Sequence, residues 1–539
     1  MFFTVRRSAF LALCIISFSL FHTPTFADTS RLELIQQRGR LIVGVKADYP
    51  PWGMMNRNGQ LIGIEPDLAR TLARKLGVEL ELIPVTSANR LQKVESGAVD
   101  LILATLSDTP ARRALSGLLE PNYFASGINV LLPKRSIINS WDSLYGRQLC
   151  LTNGAFFNRT IIQRHLIKPA IFKGTRDTLL ALEAGRCEGW VYDDIALQRL
   201  VIDDPRWKDY HLPLPSIMVQ PWAAAVSRNE KNSAWGLFVS DTIIDWHRSG
   251  ELQSIVSAWS LPVSGFLQQQ RTLWNKETPA GKPLCQRQAD GQFPLACVDK
   301  KLALATNHED LKARFGVMIR NLGLDFPPLY DQFSLSSLLE GIGITLAISL
   351  TAMSGGLIFG AVIGTLHSVG NRVTRTILSI INGTLRMTPP ILSLYLIFFG
   401  IGSWAALQFG ITFNALVIAC VVFSLYAGAS NAVIFSVALQ TVRQAQPDTS
   451  LKAQLPETLE RAYGGLMANS VNIVKAVGIA STIAVPEIIS AANGIISEHG
   501  TTTVIMNFLI IFYFGLITLF LWLLKRTKGW VSRWAHKTT

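Results

Sequence analysis

An arginine and an aspartate that follow predicted strands have the chemistry to hold a small zwitterion. Arg112 comes after the apolar strand 99–104, with the hydroxyl residues Thr105 and Ser107 between them, and Asp193 directly follows another predicted strand. A guanidinium group donates two parallel, charge-assisted hydrogen bonds to a carboxylate, whereas an aspartate accepts hydrogen bonds from an ammonium group. These residue types fit a ligand such as an α-amino acid, provided that the fold brings them together.

The elements that must position these residues alternate between strand and helix from residue 40 to about residue 262. Such alternation predicts a parallel sheet covered by helices. A second series, which begins near Gln148, predicts a second and similar lobe. Ligands of such folds bind in the crevice at the carboxyl ends of the strands. The predicted elements are the strands 41–45, 79–84, 100–104, 148–152 and 189–192, and the helices 67–76, 89–96, 176–184 and 194–201.

Residues 1–27 have the pattern of a secretory signal peptide. A pair of arginines precedes the apolar core 10–21, and the small residues Thr25 and Ala27 occupy the two positions that a signal peptidase reads. Retention of this segment as an uncleaved membrane anchor is the alternative. The pattern therefore predicts that the α/β part is exported from the cytoplasm.

Export permits disulfides among the four cysteines that follow the signal. Cys285 and Cys297 lie in a polar segment with few packing constraints and are the favoured pair, while Cys150 and Cys187 lie in the second lobe. The cysteines do not have the spacing with histidines that a zinc site needs.

Five apolar stretches after residue 334 are each long enough to cross a hydrocarbon core, which takes about 20 residues. The connectors 403–408 and 491–501 contain no Lys or Arg, whereas the other connectors and the C-terminal tail carry several. By the positive-inside rule, the first span begins outside the cell and the C-terminus lies in the cytoplasm. The net charge of +13 is thus better explained by membrane topology than by nucleic-acid binding. The predicted spans are 341–366, 377–402, 411–436, 466–490 and 502–524.

Residues 40–262 resemble the extracytoplasmic solute-binding proteins of polar amino-acid ABC importers. The resemblance implies a two-lobed periplasmic-binding-protein fold of type II. The stretches that carry it are 43–52 (VGVKADYPPW), 63–69 (GIEPDLA), 99–112 (VDLILATLSDTPAR), 185–193 (GRCEGWVYD) and 250–252 (GEL).

The resemblance also implies the role of each site residue. Arg112 would bind the carboxylate of the ligand, and Thr105 and Ser107 would supply further donors. Asp193 would bind the ammonium group of the ligand. Tyr49 and Trp52 would form an aromatic wall around its aliphatic part.

Some of these positions have a purely structural alternative. Asp193 or its neighbour Asp194 could cap the following helix, and Trp52 could belong to the core. Lys46 stands where relatives that take cationic amino acids tend to carry an acid. It disfavours lysine, arginine and ornithine as ligands unless its side chain points to solvent. Ala155 stands where the family usually has a hydroxyl residue, so backbone N–H groups would have to serve there.

Residues 335–526 resemble the permease subunit of the same importers. In such permeases a cytoplasmic loop with Glu-Ala-Ala and then Gly contacts the ATPase. The corresponding positions here hold Val437 and Arg443, so the coupling signature is eroded. The stretches that carry the resemblance are 341–346 (GIGITL), 385–391 (LRMTPPI), 455–459 (LPETL), 472–475 (NIVK) and 481–487 (STIAVPE).

The two resemblances together predict a multidomain chain, α/β outside the membrane and all-α within it. Its predicted parts are a signal peptide 1–27, a solute-binding domain 28–263, an extracytoplasmic linker 264–334, a five-helix ABC-importer transmembrane domain 335–526 and a basic cytoplasmic tail 527–539.

The predicted function is import of a neutral or acidic polar amino acid across the inner (plasma) membrane. The chain is expected to dimerise through its transmembrane domain and to contact membrane lipid. It lacks the Gly-x-x-x-x-Gly-Lys-Ser/Thr pattern, so ATP would be bound by a separate cytoplasmic ABC ATPase subunit. No cofactor, metal or nucleic-acid partner is expected.

An amino-acid-sensing or ligand-gated membrane receptor without ATPase coupling is the alternative function. An enzyme is disfavoured because the segment 264–333 is too short and loop-like for a catalytic domain.

Overall fold

The computed structural model describes residues 30–288, 291–298, 325–409 and 413–538. It has an α/β part up to residue 298 and a helical part from residue 325. The predicted signal peptide 1–27 and residues 299–324 of the predicted linker lie outside the described residues.

The strands of the α/β part build two separate sheets and a small third one. They are β1 Arg40–Lys46, β2 Asp48–Tyr49, β3 Gly53–Met55, β4 Leu61–Ile62, β5 Glu79–Val85, β6 Leu101–Ile102, β7 Gly117–Leu118, β8 Phe124–Pro133, β9 Gln148–Thr152, β10 Lys168–Phe172, β11 Gly189–Asp193, β12 Tyr210–His211, β13 Ile217–Trp222 and β14 Ala225–Val226. The α-helices of this part are Arg31–Arg38, Ile64–Leu76, Arg90–Glu95, Pro110–Arg113, Asn158–His165, Thr175–Glu183, Asp194–Asp203, Ala234–Ser249, Glu251–Ala258 and Gly265–Trp274.

Lobe 1 is built on the sheet of strand order β5-β1-β6-β14-β7. Strand β1 runs parallel to β5 and β6, whereas β14 runs antiparallel to β6 and β7. Every second residue of β1 from Leu41 to Val45 is fully buried, as are Leu68 and Leu72 at helical spacing on the helix Ile64–Leu76. These two faces pack together because each buries its apolar side against the other.

Lobe 2 is built on the sheet of order β10-β9-β11-β8-β12, to which β13 adds by pairing with β8. Strand β9 runs parallel to β10 and β11, and β8 runs antiparallel to β11. The chain passes from lobe 1 to lobe 2 between β7 and β8 and returns between β13 and β14. The α/β part therefore has the predicted two-lobed periplasmic-binding fold of type II.

The segment that follows lobe 1 is ordered and not only a tether. The helix Gly265–Trp274 packs on the helix Ala234–Ser249, and Arg248 donates hydrogen bonds to the carbonyl oxygens of Trp274 and Cys285. Trp274 and Phe293 form a small core of their own around a disulfide. The sequence predicts a polar linker here with some local structure, but this core could not be located because its apolar residues are few and widely spaced.

Two disulfides join the four exported cysteines. The predicted pair Cys285 and Cys297 is confirmed. Cys150 on β9 is joined to Cys187, which lies just before β11. The second pair was not chosen from the sequence because only the parallel register of β9 and β11 brings these residues together.

Among its described residues, the helical part contains four α-helical segments long and apolar enough to span a membrane. They are Gln332–Val369, Ala415–Ala445, Leu451–Ile483 and Thr502–His536, the third of which ends in a 3-10 turn. Shorter α-helices are Arg372–Met387, Pro390–Tyr395, Gly402–Phe409 and Ile488–His499.

The second predicted span, 377–402, is not a straight helix. The helix Arg372–Met387 meets the helical stretch Pro390–Ala406, which includes Pro390–Tyr395 and the start of Gly402–Phe409, at 100°. The count therefore reaches five spans only if this bent pair is one span. The bend falls at Pro389 and Pro390, which lack the N–H donors that would continue the helix. The predicted connectors 403–408 and 491–501 are also largely helical.

The helices Gln332–Val369 and Ala415–Ala445 pack closely through glycines. A Cβ atom at Gly356 or Gly360 would lie 2.6 Å from the Cβ of Ala427 or 2.4 Å from that of Asn431, respectively. Small residues four apart let two helix backbones approach, which is the usual basis of packing between apolar helices in a membrane. This contact joins Gln332–Val369 to Ala415–Ala445.

Candidate functional site

Arg112 lies buried between the two lobes and bonds to both of them. It sits on the short helix Pro110–Arg113, whose N-cap residue Thr109 accepts a hydrogen bond from the Arg112 backbone N–H. Its Nη1 donates to the carbonyl oxygen of Ser107 at 3.0 Å, and its Nη2 donates to the carbonyl oxygen of Gly154 in lobe 2 at 3.0 Å. Burial lowers the pKa of Arg112, and the nearby charge of Arg90 lowers it further.

Thr105 has a left-handed backbone conformation, with φ of 48°, that a buried polar cluster holds in place. Its N–H donates to the carboxylate of Glu65 at 2.6 Å, and the Tyr123 hydroxyl donates to the same oxygen at 2.6 Å. From the other side, Nη1 of Arg90 donates to the carbonyl oxygen of Thr105 at 3.0 Å. Because the Thr105 N–H is used in this cluster, only its hydroxyl remains as a group that could meet a ligand.

The two acids next to each other in lobe 2 have different partners. Asp193 ends β11, and its carboxylate accepts a hydrogen bond from the Tyr49 hydroxyl of lobe 1 at 3.0 Å. Asp194 accepts from the Ser126 hydroxyl at 2.7 Å. The Asp193 side chain makes no capping bond to the helix Asp194–Asp203. Asp193 therefore faces the cleft, and the capping alternative is wrong for it.

The carboxylate of Asp193 is hard to ionise where it lies between the lobes. Burial raises its pKa to about 7, partly offset by the hydrogen bond from Tyr49. The charge of Arg112 also acts on Asp193, so the predicted carboxylate anchor and ammonium anchor are close enough to interact. The geometry thus brings together the two groups that the sequence predicts to bind opposite ends of a zwitterion.

The aromatic residues form one continuous cluster across the lobe boundary. The ring centroid of Trp52 lies 4.3 Å from that of Phe124 and 4.9 Å from that of Trp222. The centroid of Tyr49 lies 5.5 Å from that of Tyr192. Trp52 is therefore part of the core between the lobes, whereas Tyr49 also donates through its hydroxyl to Asp193, the predicted ammonium anchor.

Lys46 is buried and does not point to solvent, so the surface alternative is wrong. Its ammonium group lies 2.9 Å from the Asp48 carboxylate and 3.4 Å from the Ser87 hydroxyl. Asp48 in turn accepts a hydrogen bond from the backbone N–H of Thr175 in lobe 2 at 3.0 Å. The charge of Lys46 is thus balanced by a neighbour, and it alone does not decide which ligand charge the cleft accepts.

Gly154 of lobe 2 lies close to the backbone of Ser87 in lobe 1. A Cβ atom there would lie only 2.4 Å from the carbonyl carbon of Ser87, and its φ of 81° favours glycine. The neighbouring Ala155 N–H bonds to the carbonyl oxygen of Thr152. That N–H is therefore used and does not replace the missing hydroxyl. The sequence left open that backbone N–H groups serve in its place.

Arg90 is the main site residue that the sequence analysis missed. It is buried, and among the described residues neither Arg90 nor Arg112 forms an ion pair with a carboxylate. The nearby Arg113 differs, since it pairs with Asp108 and Glu120. Because Arg90 lies on a helix, its charge suggested a solvent-facing position. The sequence signal for its burial was its place beside the apolar residues Leu91 and Val94.

A metal site is not formed by the described ranges. Within them, no group of three or more His, Cys, Asp or Glu side chains could hold a metal ion. The cleft instead offers two buried guanidinium groups, one carboxylate, hydroxyl groups and aromatic rings. Such a set can bind a small polar molecule by hydrogen bonds and charge, without any group positioned as a nucleophile and its base.

Comparison with known proteins agrees with this description. The glutamine-binding protein of Geobacillus stearothermophilus is 31% identical over 218 residues, which are 39% of this chain and 81% of the relative. The L-cystine-binding protein TcyJ of Escherichia coli (strain K12) is 25% identical over 238 residues, or 44% of this chain and 88% of the relative. A solved structure, the cysteine-binding protein from Campylobacter jejuni, is 26% identical and covers 43% of this chain and 92% of its own, with a TM-score of 0.40.

These relatives are solute-binding proteins and not enzymes. Residues 41–262 match the model of the bacterial extracellular solute-binding proteins, family 3, which is the stretch that forms the two lobes. The chain therefore belongs to family 3 of the bacterial extracellular solute-binding proteins.

Proposed function

We propose that the α/β part captures a polar amino acid, neutral or acidic, between its two lobes. The observation that carries this proposal is the meeting of Arg112 and Asp193 in one buried cleft, one suited to a carboxylate and the other to an ammonium group. Relatives named for binding glutamine and cystine support an amino-acid ligand. Thr105, Ser107, Tyr49 and Lys46 complete the proposed site, and Trp52 supports it from the core.

The ligand class follows from the charges around the cleft. Lys46 is offset by Asp48, and Arg113 by Asp108, so these pairs contribute little net field. Arg90 and Arg112 are left with Asp193 and Glu65 as buried ionisable groups of the cleft. Burial raises the pKa of both acids to about 7, so the positive charge prevails over the negative. A side chain that adds a second positive charge would be repelled there, whereas a neutral or acidic side chain would not.

We further propose that the helical part is an ABC-importer permease domain that works with a separate ATPase. The support is the resemblance over residues 335–526 and the presence of apolar, membrane-length helices in the same chain. The α/β part contacts one end of the helices, at residues 331, 398, 413 and 498. The basic residues Arg443, Lys452 and Arg461 lie elsewhere, around the turn 446–450. This arrangement is compatible with an outer receptor and a basic cytoplasmic side, as the charge pattern predicts.

The receptor without ATPase coupling remains the second candidate because of the turn 446–450. This turn joins two long helices directly, and the Gln454 side chain ties it down by donating to the carbonyl oxygens of Gln446 and Thr449. Arg443 precedes the turn and donates to the carbonyl oxygen of Ser368. An ATPase would have to bind this short turn and the basic residues that flank it, Arg443 and Lys452, in place of the usual loop.

Loss of Arg112 should collapse amino-acid binding. Removing one partner of a desolvated, charge-assisted contact costs about 2–5 kcal/mol, so Arg112→Ala should weaken affinity by about 30-fold to several thousand-fold. Calorimetry on residues 28–298 with glutamine, cystine, glutamate and arginine as probes measures this. Arg147→Ala is the matched control, since Arg147 is an exposed arginine paired with Glu188. Unchanged affinity in Arg112→Ala would contradict the site, and preferred binding of arginine would contradict the ligand class.

Ligand affinity should fall as the pH falls through about 7. Burial raises the pKa of Asp193 to about 7. A bound ammonium group would lower that pKa, because it favours the ionised carboxylate. Below pH 7 the ligand must displace a proton, so affinity should drop by up to about tenfold per pH unit and should level off above pH 8. Calorimetry from pH 5.5 to 8.5 checks this.

Asp193→Asn should remove that pH dependence together with much of the affinity. Glu65 is the alternative source, because burial also raises its pKa to about 7. If the slope persists in Asp193→Asn and vanishes in Glu65→Gln, Asp193 is not the titrating anchor.

A methyl group at Gly154 should hold the lobes apart. The clash with Ser87 and the left-handed φ should weaken ligand binding by about 1–3 kcal/mol, or roughly 5- to 150-fold. Gly185→Ala is the control for backbone strain alone, since Gly185 has φ of 66° and nothing within 4 Å of an added Cβ. Small-angle scattering should find Gly154→Ala extended with and without ligand. A compact ligand-bound form of Gly154→Ala would refute this description of closure.

Reversing the charge at Arg443 separates the two candidate functions. If Arg443 and the turn 446–450 bind an ATPase, Arg443→Glu should abolish uptake of radiolabelled glutamine by cells and leave binding by the α/β part unchanged. Arg533→Glu, on the exposed C-terminal helix, is the control. Unchanged uptake, with no ATPase co-purifying with the wild type, would favour the receptor without ATPase coupling.

A further inference from the structure

Arg159 of lobe 2 is held by two acids of the helical part. It lies on the helix Asn158–His165, and its Nη2 is 2.7 Å from the carboxylate of Asp331, the N-cap residue of Gln332–Val369. Its Nη1 is 2.9 Å from the carboxylate of Glu498. The guanidinium also lies 5.0 Å from the centre of the Phe333 ring. One arginine thus joins lobe 2 to two separate helices by charge-assisted contacts.

A second arginine of lobe 2 is buried in the same interface. Arg186 is 6% exposed, donates to the carbonyl oxygens of Phe398 and Phe413, and lies 4.5 Å from the centre of the Phe398 ring. The ring of Phe172 in lobe 2 also contacts that of Phe399. Breaking these contacts would expose a desolvated arginine and aromatic surface, so lobe 2 should separate from the helices only at substantial cost.

Lobe 1 contacts the helices through apolar packing. The helix Pro110–Arg113 packs near Ile488–His499, and Leu115 lies beside Gly500. For residues 30–122 and 223–262, the described contacts contain no hydrogen bond or ion pair to residues of the helical part. The attachment of the two lobes is therefore unequal: polar and buried for lobe 2, apolar for lobe 1.

A cavity of about 640 Å³ lies between the mouth of the cleft and the helices. On the receptor side it is lined by Arg112, Gly154 and Phe156, which are the lobe-closing residues and their neighbour. On the helical side it is lined by Ser337, Glu340 and Ser490, among others. Opening of the lobes at Gly154 would therefore join the cleft to this cavity.

We propose that lobe 2 is a fixed lobe, anchored to the helical part of its own chain by Arg159 and Arg186, and that lobe 1 is the lobe that moves. Opening then swings lobe 1 away and exposes the Arg112 end of the cleft to the cavity above the helices. The purpose of this motion, ligand capture and release, rests on the proposed receptor function. Its test needs neither a ligand nor transport, so it can fail independently of that function.

The test measures distances from each lobe to the helical part in the full chain, reconstituted in lipid nanodiscs. Spin labels are placed at Met55 in lobe 1 and Tyr145 in lobe 2, each paired with a label at Trp404; all three side chains are more than half exposed. Cys420, the one free cysteine of the described residues, is replaced by serine. Gly154→Ala then opens the lobes without any ligand.

In Gly154→Ala the distance from residue 55 to residue 404 should shift, while that from residue 145 to residue 404 should stay narrow and unchanged. Arg159→Glu should broaden the distance from residue 145, and adding Glu498→Arg should restore it in part. Arg206→Glu, a charge reversal at an exposed position of lobe 2, should leave it unchanged. An equal shift of both lobes in Gly154→Ala, or no effect of Arg159→Glu, would overturn the proposal. The same signal from a mixture of singly labelled chains would also overturn it, because the anchor would then belong to a second copy.

Discussion

The burial of two arginines between the lobes is the constraint on which the rest of the receptor depends. A buried cation needs hydrogen-bond acceptors or an opposite charge to offset its lost hydration. Arg112 has two backbone carbonyl oxygens as acceptors, one in each lobe. A ligand carboxylate would be a better partner, because its hydrogen bonds to a guanidinium are charge-assisted. Arg90 is likewise buried without a carboxylate partner among the described residues, and it donates to the carbonyl oxygen of Thr105, whose backbone is left-handed.

The same constraint explains why opposite charges lie so close in an otherwise aromatic cleft. Asp193 interacts electrostatically with both arginines, yet burial raises its pKa to about 7 and Tyr49 donates to one of its oxygens. Backbone carbonyls and a hydroxyl are weaker partners for Arg112 and Asp193 than groups of opposite charge would be. A zwitterion can satisfy both at once, and this is the physical basis of the proposed function.

The fold and the proposed site were largely predictable from the sequence, and the failures have physical causes. The strand and helix alternation predicted both lobes, and the motif around Arg112 placed it at a strand end. Lys46 could not be placed, because its burial depends on Asp48 and on contacts across the cleft. Arg90 was missed, because a charge on a short helix usually faces solvent. The closeness of Gly154 to Ser87 depends on how the lobes close, which no local pattern encodes.

In the helical part, apolar length predicted the spans but not their geometry. Hydropathy does not register that Pro389 and Pro390 break the second span, nor that helix Leu451–Ile483 begins well before the apolar stretch assigned to it. The contact of lobe 2 with this part was equally invisible, because Arg159, Asp331 and Glu498 lie far apart in the sequence. Surface arginines and acids become an interface only when the two folds are placed together.

The central claim is that Arg112 and Asp193 bind opposite ends of one zwitterion. Calorimetry with glutamine, its analogue lacking the ammonium group and its analogue lacking the carboxylate tests this most directly, in the wild type, Arg112→Ala and Asp193→Asn. The wild type should lose affinity for both analogues, Arg112→Ala should no longer distinguish glutamine from the analogue without the carboxylate, and Asp193→Asn should no longer distinguish it from the analogue without the ammonium group. If both variants still discriminate as the wild type does, the two residues do not hold the ends of the ligand.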